Sequence, residues 1–89
     1  MNAPAPRYLV LAMRRPAFDE SVVAPHHAFL EELRARGLLE LSGGFGDRSG
    51  GAYLLRGVGS LAEAEAIAAR DPLALRGASD LVVHAWNAR

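Results

Sequence analysis

His26 is the residue of this chain best suited to do chemistry. It sits in the run PHHAFLEELRARG, residues 25–37, where His26, Phe29, Leu30 and Leu33 recur at i, i+3, i+4 and i+7. That spacing describes one buried stripe of a helix, so the imidazole faces inward. An inward ring near a helix start is either a satisfied core polar group or part of a site that moves a proton. The other histidines are weaker candidates. His27 shares the polar side with Glu31 and Arg34 and is expected to be solvated, while His84 alternates with Val82 and Trp86 and is expected to pack in a sheet or an interface. No His/Glu/Asp set has metal-ligand spacing, so no metal is expected. The chain has no cysteine and no lysine, which excludes disulfides, thiolate metal sites and lysine Schiff-base chemistry. No serine nucleophile motif accompanies His26, so covalent hydrolysis is unsupported. If His26 belongs to a site, proton transfer on a small ligand suits it, and no cofactor is expected.

Two further features bear on a ligand. Gly43-Gly44-Phe45-Gly46-Asp47 is a glycine-rich connection. No helix start follows it, so it is not a phosphate cradle. Its glycines serve turn geometry and let a ligand approach the backbone, with Phe45 a candidate for a pocket wall. Arg14 and Arg15 follow the first apolar run as surface charges, or one of them steers an anionic ligand.

The 89 residues, 51% of them hydrophobic, bound the context. They fit one domain over 1–89 with a modest core. Ten arginines are scattered among ten acidic residues, giving zero formal charge. Nucleic-acid binding needs a concentrated basic surface and is not expected. No window is long enough to cross a bilayer, and no apolar leader precedes the first strand, so no membrane association and a cytoplasmic setting are expected.

The elements that must position His26 follow from periodicity. Tyr8–Met13 is an apolar run of strand length, and the polar stretch 14–21 with Pro16 is a loop. Pro25 suits a first helical position and Gly37 a left-handed cap. Leu38–Ser42 and Ala52–Gly57 read as two strands of a hairpin. Ser60 with Glu63 forms a capping box for a helix to about Arg70, burying Leu61, Ala64, Ile67 and Ala68. Asp71-Pro72 breaks it, Leu73–Gly77 is a turn or short irregular piece, and Leu81–Asn87 is the last strand. This β-α-β-β-α-β order predicts an α+β, ferredoxin-like sandwich with a four-stranded antiparallel sheet and both helices on one face. Yet Leu9, Leu11 and Met13 make the opposite face of the first strand as apolar as Tyr8, Val10 and Ala12. A sheet apolar on both sides needs a second cover, so a homodimer packed sheet to sheet is expected.

The ordered set of motifs resembles the YCII (YciI-like) family of small dimeric α+β proteins. The matching pieces are the histidine of PHHAFL, the glycine eleven residues on at Gly37, a strand followed by Gly43-Gly44, the hairpin strand opening at Gly50-Gly51, and Asp71-Pro72 with Gly77. The resemblance implies a ferredoxin-like subunit, a dimeric α/β barrel, and an active site with a histidine–aspartate pair. Carried over, His26 takes the histidine position, and Asp71 is the first choice for the acid, with Asp47 the alternative. Gly43, Gly44, Phe45 and Asp47 would then be substrate-binding. Two departures stand out: Val23 and Ala24 occupy the stretch where an arginine commonly precedes the histidine, and Gly44 stands where relatives usually place proline.

In a His26–Asp71 pair the carboxylate would fix the ring tautomer and leave the second nitrogen as a base. The helix start opposes an imidazolium and the aspartate favours it, so the two act in opposite directions. The expected function is acid–base chemistry, elimination or isomerisation, on a small metabolite. The competing expectation is a non-catalytic ligand-binding or interaction module in which His26 is structural.

Overall fold

The computed structural model of the protein describes residues 6–89. The expectation that no leader precedes the first strand rests partly on residues 1–5, which lie outside the described residues. The elements run β1 (Arg7–Arg14), α1 (Val23–Ala35), β2 (Leu39–Gly44), β3 (Gly50–Leu55), α2 (Leu61–Ala68), α3 (Pro72–Leu75) and β4 (Ser79–Trp86). The four strands form one antiparallel sheet in the order β2-β3-β1-β4. This is the ferredoxin-like α+β fold expected from the element order.

β1 is central because it pairs on both edges, with Val10 opposite Tyr53 on β3 and Val83 on β4. Its inner side chains Tyr8, Val10 and Ala12 are buried beneath the helices, joined by Leu30 and Leu33 of α1 and by Ala64 and Ala68 of α2. Each such Val or Leu contributes about 1.5–3 kcal/mol relative to exposure. A second cluster of Ala12, Val22, Leu73 and Ala78 anchors α3 to the sheet. It is this smaller cluster that holds Asp71, the residue before α3, in place.

Three local readings change. α1 begins at Val23, so Pro25 is its third residue rather than its first. A 3-10 turn at Glu20–Val22, capped by Asp19 accepting from Ser21 N, leads the chain into the helix early. Proline is tolerated there because the first N–H groups of a helix have no internal acceptor. Leu61 is 41% exposed rather than buried. The piece after Pro72 is a short helix, N-capped by Asp71. Gly37 does adopt the left-handed conformation (φ 75°) expected of it, and Leu38 N closes onto Leu33 O at 2.9 Å.

The hairpin shapes the future site. A register shift between Leu39 and Leu41 turns Leu41 to the outer face and places Ser42 opposite Tyr53 on the inner one. Beyond it Gly44 pairs with Gly51. A Cβ on Gly50 would lie 2.1 Å from Ala12 O, and one on Gly51 2.5 Å from Gly43 O. The strands therefore approach too closely for side chains, and the sheet is bare backbone at this end. The helix-free face is apolar, as its alternation predicts, with Met13, Leu41, Phe45, Val82 and Trp86 exposed.

Candidate functional site

His26, the fourth residue of α1, meets Asp71 across the fold: Nδ1 lies 2.9 Å from Oδ1. Asp71 is fully buried and its carboxylate is held from three sides. Oδ1 also accepts from Leu73 N at 2.9 Å, and Oδ2 accepts from the Tyr53 hydroxyl at 2.9 Å. Pro72, inside the first turn of α3, presets the backbone so that the preceding aspartate can cap. Because the carboxylate acts as acceptor, the hydrogen-bond network assigns the Nδ1 proton to His26. Nε2 then carries the lone pair of the neutral ring. The His26 side chain keeps 16% exposure, so the ring meets solvent rather than a closed apolar cage.

Tyr53, on β3 opposite Val10, completes the arrangement. Burial pushes its phenol well above the ordinary value of 10.0, and the charge of Asp71 and the hydrogen bond to it push the same way. The hydroxyl therefore stays protonated and donates. The available signal was its place on the inner face of β3, since a buried tyrosine hydroxyl requires a partner. One consequence is measurable. As pH rises past the ordinary 10.0, the unfolded chain releases the Tyr53 proton while the folded chain retains it. The stability contributed by the protonated phenol is full below that value and declines above it, with a slope of up to about 1.4 kcal/mol per pH unit. With no lysine in the chain, few other groups titrate in this window. Tyr53→Phe is expected to flatten the decline in urea unfolding between pH 8 and pH 11; an unchanged slope would show that the folded protein ionises Tyr53 freely.

A cleft of about 310 Å³ opens beside the pair, lined by His26, Tyr53, Ser42, Gly44, Gly51 and Arg14 among others. It exists because the facing glycines leave the inner sheet surface without side chains beneath the start of α1. Gly43 and Gly44 line this cleft, and exposed His27 stands on its rim. Two other expected residues are elsewhere. Phe45 lines an apolar depression of about 370 Å³ on the opposite sheet face, with Leu41, Leu54 and Trp86. Asp47 sits in the hairpin turn, where Oδ1 accepts from Ser49 N at 2.9 Å. Hydrogen bonds from Ser49 hold its carboxyl below the usual range, and it is Asp71, not Asp47, that partners His26. His84 is exposed on the outer face opposite Leu9. Among the described residues no group of three or more His, Asp or Glu side chains is arranged to hold a metal ion. No helix among them is long and apolar enough to cross a membrane.

Three similarities place the fold among known proteins. The family model for the YCII-related domain matches residues 7–87. The uncharacterized protein YjpA of Bacillus subtilis (strain 168) is 41% identical over 80 residues, covering 90% of this chain and 93% of YjpA. The solved structure of the 5-chloro-2-hydroxyhydroquinone dehydrochlorinase TftG from Burkholderia phenoliruptrix AC1100, in complex with 2,5-dihydroxybenzoquinone, superposes with a TM-score of 0.66. That alignment covers 90% of this chain and 92% of TftG at 24% identity, a likeness of fold.

Proposed function

The chain belongs to the YCII-related domain family, and from that premise we propose that it is a cofactor-independent enzyme for elimination or isomerisation on a small ring metabolite. His26 is the general base and acid, Asp71 orients it, and Gly43 and Gly44 wall the substrate. The observation that carries the reading is the 2.9 Å contact between His26 Nδ1 and a fully buried Asp71 beside an open cleft. In an elimination, Nε2 would take a proton from carbon, the C–H electron pair would form the new double bond, and the leaving group would depart as an anion. The acquired proton would then pass to water. TftG, whose name describes loss of hydrogen chloride, supports this reaction class. The experiment is a titration with 2,5-dihydroxybenzoquinone followed through the histidine ring resonances. Saturable shifts of His26 with His84 unmoved are expected; no His26 shift at millimolar ligand would count against the assignment.

A non-catalytic binding module is the second reading, and one observation favours it: Asp71 also caps α3, a role that needs no chemistry. In that case the cleft binds ligand without turnover.

The proposal includes a homodimer joined through the helix-free sheet faces and a cytoplasmic setting. Support for the dimer is the apolar surface of Leu41 (66% exposed), Val82 (52%), Trp86 (47%) and Phe45, since patches of this kind on small proteins mark interfaces. Sedimentation at micromolar concentration is expected to give twice the chain mass, and Val82→Glu to give the monomer. A wild-type monomer would remove the dimer.

A further inference from the structure

We infer that Arg14 forms an anion subsite in the His26 cleft, so that the ligand is a small planar anion presenting two neighbouring oxygens. The inference rests on the reading that the ligand occupies this cleft, and it names the ligand's charge.

Arg14 ends β1, where its backbone N–H is fixed to Ser49 O at 2.9 Å. Its guanidinium carbon lies 4.0 Å from the ring centroid of Phe18. Phe18 in turn packs on the Ala12, Val22, Leu73 and Ala78 cluster, so the cation rests on an anchored aromatic face. The nearest carboxylate, Glu20 Oε1, stands 3.6 Å from Nη1, and the Glu20 side chain is 76% exposed. An exposed pair at that distance is loose and screened. It leaves most of the five guanidinium donors open to a ligand.

The rest of the cleft agrees in charge. Arg14, His26 and His27 line it, and no carboxylate does. Apart from exposed Glu20 beside Arg14, the acid that borders the cleft is Asp71, which is fully buried with both oxygens already accepting hydrogen bonds. Arg15 is not part of this subsite: its Nε lies 3.8 Å from Asp80 Oδ1. A planar guanidinium fork matches two oxygens on one face of an anion. The glycine floor offers no side chain to crowd a flat ring, and the cleft volume of about 310 Å³ suits a single-ring molecule. Held this way, the ligand would place its negative charge at Arg14, which would also stabilise charge that develops when His26 removes a proton.

Benzoate and its neutral isostere benzamide test this by calorimetry on the full chain, with Arg14→Gln, Glu20→Gln and His26→Asn variants. Wild type is expected to prefer benzoate by about tenfold or more. Arg14→Gln should erase that preference, Glu20→Gln should widen it, and His26→Asn should leave it standing. Equal affinities in wild type, no measurable benzoate binding at millimolar concentration, or a preference surviving Arg14→Gln would each overturn the subsite. A lost preference with turnover still dependent on His26 removes the subsite alone. A retained preference with turnover indifferent to His26 removes the acid–base role alone.

Discussion

Replacing His26 by asparagine is expected to lower turnover by roughly 10²–10⁴-fold, the usual contribution of a positioned general base, while the fold persists. The substitution is informative because of where the two ring nitrogens stand. Nδ1 donates to Asp71 Oδ1 at 2.9 Å, and an asparagine amide can supply a donor from nearly the same position. What it cannot supply is Nε2, the atom assigned to move the proton. The structural contact is largely kept and the chemical one removed, so stability and activity separate. Chloride release from 5-chloro-2-hydroxyhydroquinone, then conversion of other hydroxylated single-ring compounds, would be followed alongside thermal unfolding. Turnover unchanged in the variant would sink the catalytic role and leave His26 as a structural ligand of Asp71.

Asp71→Ala is expected to be the most destabilising single substitution at the site. The carboxylate serves His26 Nδ1, Leu73 N and the Tyr53 hydroxyl at once, and it lies wholly out of water. Removing it strands buried donors at about 1–3 kcal/mol each and deletes the α3 cap at about 1 kcal/mol. These costs are not additive, because the neighbours relax together. A loss on the order of 3–5 kcal/mol follows, a large part of the ~5–15 kcal/mol that holds a domain together. In a chain this short that corresponds to a fall in Tm of roughly 15–30 °C. Asp71→Asn keeps one acceptor oxygen and the cap, so it should cost much less stability. It also puts a donor where the His26 or Tyr53 proton pointed, so turnover should still fall. Denaturant unfolding of both variants decides the matter: an alanine variant within about 1 kcal/mol of wild type would mean the carboxylate is not bonded as described.

The two substitutions rest on parts of the site that differed in how legible they were. His26 is visible in a thirteen-residue window, because helical phase alone separates it from His27. Asp71 was visible only as half of an Asp-Pro break at the end of α2, not as the cap of a new helix. Its pairing with His26, 45 residues away, was implied only by the family resemblance, as the first choice with Asp47 the alternative, and no local pattern could measure it. Phe45 shows the limit from the other side. One register shift in β2 decides which sheet face the hairpin's side chains reach, and it sends Phe45 away from the cleft. Tyr53 was passed over because strand alternation marks a residue as inward without saying which polar group it will meet there.

What the sequence by itself determined is therefore local. The 3.6-residue stripe of α1, the left-handed stop at Gly37, the Ser60 cap, the apolar runs on both sheet faces and the β-α-β-β-α-β order all arise from residues close along the chain. That is where propensity, capping and periodicity act. Only the tertiary structure decided that Asp71 gathers His26, Tyr53 and Leu73 around one buried carboxylate. It alone showed that facing glycines open the cleft and that Arg14 is among the residues lining it. Those outcomes depend on strand register and on how α1 and α3 pack over the sheet. A one-residue slip would exchange inner for outer side chains, and nothing local in the sequence measures the distance between segments that meet only when the sheet has closed.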